Sequence, residues 1–231
     1  MATHYVDKPE IKTADALHKT LRERRDSGIG KHDDIRLHRA ISWLTAAERY
    51  KDDTDVAFMC FWNCYEATYQ IEDPQRFNRN YEAMERERLT KVVKIDKSNE
   101  LLIIMLQGYK EYLYEIFANK YLSKRYYEWK LGYVKDWERQ FTQDLKEARA
   151  ALTRNDTAKL LDFSLFRLGT LRNQMLHGSA TYQGSINRET LDKANSFMSE
   201  IMPKMVEIML TGNGWGEIQY DILDQPTDGK D

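Results

Sequence analysis

Arg172 and His177 stand five positions apart in the stretch Leu168-Gly169-Thr170-Leu171-Arg172-Asn173-Gln174-Met175-Leu176-His177-Gly178. Their chemistries are complementary. An imidazole exchanges a proton near neutral pH and can act as general acid or general base. A guanidinium keeps its proton, so it suits charge stabilisation and the two-point grip of an oxyanion. On an ideal helix, at about 100° per residue, Leu161, Leu165, Leu168 and Leu176 fall within about 40° of Arg172. Leu160, Phe163, Phe166, Leu171 and Met175 cover much of the remaining circumference, the pattern of a core helix. Arginine is rarely fully buried without a partner, so one placed among these leucines needs a reason. An interior ion pair, with His177 capping the helix before a stop at Gly178, would account for both residues without any reaction.

The elements that must position this pair read as helices. The chain has 231 residues, 42% of them hydrophobic, with four prolines and eleven glycines, and period-2 alternation is scarce. An all-α fold follows, a helical bundle of long antiparallel helices. A single domain over 1–231 is expected, with 1–30 as an N-terminal extension and 212–231 as a loose tail. Residues 10–26 read as a mostly exposed helix, broken at Ser27-Gly28-Ile29-Gly30. That loop lacks the Gly-Lys-Ser/Thr ending of a phosphate-binding loop. A helix over 33–50 is expected to be capped by Asp33 or Asp34. The aromatic-rich stretch 55–71 should pack antiparallel on it, because the connection is short. Cys60 and Cys64 share a face at i, i+4, but no further His or Cys lies close in sequence, so buried thiols are expected.

After Asp73-Pro74, residues 75–97 alternate in charge and read as a solvated helix face. Ser98 opens a core helix through Phe117, and 120–150 continues helically with aromatic and basic residues interleaved. Such a surface can stack bases and contact phosphates, but inward-facing aromatics with cations in water are the favoured reading. Asn155 or Asp156 should cap the helix bearing Arg172, and Asn187 the last helix, which Pro203 should kink. Four polar residues on these elements are candidates to bind a substrate: Asn63 and Glu66 in the apolar helix, Lys124 and Arg125 in the aromatic-basic segment.

The formal net charge of −2 argues against a protein that coats nucleic acid, so phosphate binding would need a local patch. The first 26 residues are polar and charged, unlike a signal peptide, and Leu101–Leu106 is far shorter than the ~20 apolar residues that cross a bilayer. Two cysteines suit a reducing cytosol, and a cytoplasmic protein is expected. No Asp/Glu/His cluster suggests a catalytic metal, and no cofactor is expected.

Arg172-Asn173-Gln174-Met175-Leu176-His177 matches the R-x4-H motif, and the chain resembles the HEPN superfamily (higher eukaryotes and prokaryotes nucleotide-binding). In that family the residue after the arginine is often polar and frequently Asn, as Asn173 is here. The motif lies near the end of a penultimate long helix, and the helix pair holding Trp62, Asn63, Tyr65 and Glu66 resembles the hairpin that opens such domains. The resemblance covers 33–210; the first thirty residues and 75–97 have no counterpart in it. It implies a helical bundle and, in many members, metal-independent RNA cleavage between two copies of the motif, often across a homodimer. Arg172 and His177 lie ~140° apart and ~7.5 Å apart along an ideal helix, so one chain makes a poor site and a twofold pair a better one.

RNA carries its own nucleophile, the 2′-OH. The implied roles are charge stabilisation by Arg172, proton transfer by His177, and orientation of the phosphate or the imidazole by Asn173. The helix C-terminus favours the charged imidazole, hence a general acid, although a base role stays open. The family also implies a toxin or phage-defence effector, restrained by a partner protein such as an antitoxin. Two other readings fit the same residues. One is a non-catalytic HEPN-type module that binds RNA or nucleotide or serves assembly. The other is a helical interaction protein in which Arg172 pairs with an acid such as Glu66.

Overall fold

The computed structural model describes residues 7–28, 31–69 and 81–215, apart from the side chains of 31–34, 81, 82 and 84. Expectations for 1–6, Ile29-Gly30, the last two residues of the stretch 55–71, Asp73-Pro74, 75–80 and 216–231 lie outside the described residues. Among the described residues there are ten α-helices, one 3₁₀ turn and no strand.

α1 (Ala14–Asp26) starts where the Thr13 hydroxyl accepts the Ala16 N–H. Ala14, Leu17 and Leu21 are fully enclosed, so this segment is built into the core rather than appended to it. α2 (Lys31–Arg49) begins earlier than expected, and Asp33 and Asp34 lie inside its first turn rather than at the cap. It packs along α3 (Thr54–Tyr69) more extensively than any other helix pair. Arg36 of α2 is wholly buried and donates to the Ala67 and Thr68 carbonyls, satisfying the end of α3.

α4 (Tyr81–Ile95) does not present its cations only to water. Arg86 pairs with Asp162, while Arg88 and Lys91 donate to the Trp215 and Gly214 carbonyls. The next cap is supplied by Asp96 rather than Ser98: its carboxylate accepts the Glu100 and Leu101 N–H groups. The expected core helix through Phe117 is two helices, α5 (Glu100–Gly108) and α6 (Lys110–Ala118). Gly108 weakens the helix there, and Tyr109 leaves helical backbone at φ −134°. The Tyr109 hydroxyl lies 2.7 Å from the Ser196 carbonyl and 2.8 Å from Glu200.

The segment 120–150 is likewise divided, into a 3₁₀ turn (Lys120–Leu122), α7 (Lys124–Lys130) and α8 (Trp137–Arg154). Gly132, at φ +80°, makes the break after α7, a conformation that costs glycine little. α9 (Thr157–Leu176) is capped by Asp156, whose carboxylate accepts the Lys159 N–H at 3.2 Å. α10 (Arg188–Thr211) follows Asn187, which sits at the cap position but in left-handed backbone, and its side chain caps nothing. α10 continues through the buried Pro203 without interruption.

The helices pack in two groups joined by one continuous apolar core. α10 contacts α1, α2, α3, α4 and α5; α9 rests on α4, α6 and α8. The site described below lies where α3 of the first group meets α9 of the second.

The chain does not become a loose tail at 212. Trp215 is fully buried, donates its indole N–H to the Met209 carbonyl at 3.0 Å, and holds the Lys91 ammonium 4.5 Å from its ring. Trp215→Ala should therefore cost about 3–5 kcal/mol, read as a lowered urea midpoint; an unchanged midpoint would show that this tryptophan is dispensable. No helix among the described residues is long and apolar enough to cross a membrane.

Candidate functional site

The floor of the site is the contact between Trp62 of α3 and Gly169 of α9. A Cβ on Gly169 would come within 3.1 Å of Trp62 Cη2, so the bare backbone is what admits the indole. One turn further on, the Arg172 guanidinium lies 5.4 Å from the centre of the Trp62 rings. Its Nη2 forms an ion pair with Glu66 Oε1, the same oxygen that accepts the Trp62 indole N–H at 2.6 Å. Its Nη1 donates to Asn173 Oδ1 at 2.9 Å. Both members of the ion pair are partly exposed, so it adds little to stability. Its main effect is to aim the guanidinium. Burial lowers the Arg172 pKa, yet an arginine remains protonated at any physiological pH.

Arg172, Asn173, His177, Lys124, Tyr127 and Trp62 line one cleft of about 440 Å³. His177 is the C-cap of α9 and is exposed; its backbone N–H donates to the Asn173 carbonyl at 3.0 Å. Gly178 then turns the chain away at φ +71°, and the Ser179 and Ala180 N–H groups both return to the Gln174 carbonyl. The leucine stripe ends short of this point. Leu161, Leu165 and Leu168 are buried, but Leu176 is 54% exposed. Arg172 thus stands at the open end of the stripe rather than in its middle.

Of the substrate-binding candidates, Glu66 and Lys124 reach the site, and Asn63 and Arg125 do not. Asn63 lies beside Trp62 on α3 but does not line the cleft. The Arg125 guanidinium instead pairs with Glu128 at 3.0 Å. Sequence reasoning passed over two residues of α9. Arg167 is the deeply buried arginine, with its guanidinium 3.5 Å from the Leu122 and Phe117 carbonyls and 5.1 Å from the Phe141 ring centre. The signal for it was the one used for Arg172, a cation within an apolar helix. Gln174, also buried, donates at 2.7 Å to both the Tyr121 carbonyl and the Tyr127 hydroxyl, tying the last turn of α9 to α7. No sequence signal marks that role.

A second cleft, of about 600 Å³, lies between the segment that leads into α1 and the helices α2, α3 and α10, with Leu44, Phe61, Glu48, Asp192 and Asn195 on its walls. Among the described residues, no histidine or arginine lines it. Cys60 and Cys64 are buried free thiols, and burial pushes both pKa values up. Among the described residues, no three His, Cys, Asp or Glu side chains converge as a metal site.

No family model, curated protein or solved structure matches this chain. The chemistry of the cleft is therefore read from its own groups. An aimed guanidinium and the Lys124 ammonium supply positive charge beside an imidazole open to solvent, with Glu85 as an acid on the same cleft. Such a set can bind an oxyanion such as a phosphodiester and move a proton next to it.

Proposed function

We propose that this protein is a metal-independent endoribonuclease of the HEPN kind, whose site is completed by a second copy of the chain. The observation that carries this reading is the contrast between the two motif residues. Arg172 is held in place by Glu66, Trp62 and Asn173, while His177, in the same cleft, is left exposed. In the reaction, the ribose 2′-oxygen attacks phosphorus and gives up its proton to a base. The bond from phosphorus to the 5′-oxygen breaks, and that oxygen takes a proton from an acid. The His177 side chains of the two protomers serve as base and acid, Arg172 stabilises the phosphorane, and Asn173 orients Arg172. RNA supplies the nucleophile, so no metal-activated water is needed.

Large apolar side chains near His177 support the second copy. Leu176, next to His177 in the chain, and Ile186, in the following loop, are both exposed, the latter at 85%. Burying them against their twofold mates would bring the two clefts together. The resemblance extends the reading to a cytoplasmic toxin or phage-defence effector, checked by a partner protein. The test is incubation with RNA in EDTA. Wild type should yield 2′,3′-cyclic phosphate and 5′-hydroxyl ends. Ile186→Asp should sediment as a monomer and cut at least about 100-fold more slowly, the scale of losing one proton-transfer group. A monomeric variant with full activity would reject the composite site.

The Glu66–Arg172 pair also favours a second reading: a helical interaction protein, or a module that binds RNA without cutting, in which Arg172 only joins α3 to α9. The His177 variant discussed below separates the two.

A further inference from the structure

Beside the cleft stands a surface that the bond-breaking chemistry does not use. Along the 3₁₀ turn, α7 and the start of α8, aromatic rings contact one another in series. Tyr126 touches Tyr121, Tyr127, Trp129 and Trp137 with ring centres 5.1–5.8 Å apart, and Trp129 lies 5.7 Å from Trp137. The expectation that these aromatics face inward holds for Tyr126, which is buried, holds in part for the half-buried Tyr127 and Trp137, and fails for Trp129 and Tyr133. Tyr121 is 49% exposed, Trp129 43% and Tyr133 77%. This much aromatic surface in water is unfavourable unless something covers it.

The charge around it says what. The stretch from Lys120 to Trp137 holds five basic residues (Lys120, Lys124, Arg125, Lys130, Lys135) and two acidic ones (Glu128, Asp136), in a chain whose net charge is −2; Glu128 pairs with Arg125 and Lys124, while Lys120 and Lys130 lie against the rings. The Lys120 and Lys130 ammonium groups lie 5.6 and 5.4 Å from the Tyr126 ring centre, so cations and rings share one face. A second copy of this face would be repelled by its own charge. A polyanion that also carries flat π-faces would be complementary to it. The surface is continuous with the cleft: Lys124 and Tyr127 belong to both, and Gln174 hydrogen-bonds Tyr127 and the Tyr121 backbone from the helix that carries Arg172.

We propose that this face is a stacking platform for single-stranded RNA, with Trp129 and Tyr133 taking unpaired bases next to the phosphate held at Arg172. The proposal rests on the ribonuclease reading and narrows its substrate to unpaired strands. Bases within a duplex are already stacked and cannot present their faces to side chains.

The test uses the full chain and a fluorescent, 2′-O-methylated oligoribonucleotide, which has no free 2′-OH and cannot be cut. Fluorescence anisotropy would measure its binding as a single strand and as a duplex. Trp129→Ala combined with Tyr133→Ala should weaken single-strand binding by at least about tenfold, since each stacked base contributes about 1–3 kcal/mol. Trp129→Phe should retain most of it, and circular dichroism should show both variants folded. Equal affinity of the double variant and wild type would overturn the platform. So would duplex binding as tight as single-strand binding, which would mean charge alone, or loss of self-association in the double variant, which would mean a protein interface. RNA cleavage is read separately. If wild type binds the strand in a Trp129- and Tyr133-dependent way but never cuts RNA, the platform stands and the ribonuclease falls.

Discussion

His177→Ala is expected to slow RNA cleavage by about 10²–10⁴-fold, the usual contribution of a positioned proton-transfer group. The same change should leave the fold almost untouched. His177 is exposed, and the hydrogen bond it makes to α9 runs from its backbone N–H to the Asn173 carbonyl, which alanine preserves. Exposed substitutions of this kind usually stay within about 0.5 kcal/mol, a shift of roughly 2 °C or less for a domain of this size. A large loss of rate beside an unmoved melting curve is the signature of a chemical role. Arg172→Ala should behave similarly, losing about 10²–10³-fold through the missing charge on the phosphorane. Full cleavage by the His177 variant would remove the imidazole from the mechanism. An absence of cleavage in wild type as well would leave the interaction protein held together at Glu66 and Arg172.

Arg167→Ala should show the opposite signature, a stability loss of about 3 kcal/mol. This guanidinium is almost completely buried, near two backbone carbonyls and the Phe141 ring. It also acts on the partly buried Asp144, whose pKa burial raises and Arg167 lowers. Alanine would leave a cavity, two carbonyls without a cation, and an Asp144 carboxylate with only Arg125 to offset its charge. Arg167→Met keeps most of the volume and should cost clearly less. Urea denaturation of the two variants beside Arg172→Ala, expected below about 1 kcal/mol, checks the ranking. If Arg167→Ala unfolds with the wild-type midpoint, the buried cation is not structural.

The all-helical class was legible because the period of apolar residues is local information. α9 and α10 in particular appear nearly at their expected limits. The breaks at Tyr109 and Gly132 were not: a single glycine inside a helical pattern does not by itself end a helix, and at Tyr109 a tertiary contact fixes where the chain turns. Tyr109 is held by Ser196 and Glu200, some ninety residues away, which no window along the chain contains. The ordered course of residues 212–215 escaped for the same reason: Arg88 and Lys91, more than 120 residues earlier, hold the Trp215 and Gly214 carbonyls. At the site, the pair Arg172 and His177 was found by type and spacing, and Glu66 was named as a possible acid for Arg172. Arg167 was not singled out, because on a helix apolar nearly all round a projection does not say which of two arginines, about 140° apart, faces the core. Asn63, singled out as a polar group in an apolar helix, and Arg125, as a cation among aromatics, do not line the cleft, because residue type alone does not fix which way a side chain faces.

The near-contact of Gly169 with Trp62 has an evolutionary corollary. A methyl group at position 169 would meet the indole edge at 3.1 Å, and the Arg172 guanidinium lies over that same ring. The two positions are therefore sterically exchanged volumes on different helices, more than one hundred residues apart in the chain. Homologous chains should show them covarying, with glycine accompanying tryptophan and a larger residue at 169 permitted only beside a smaller ring at 62.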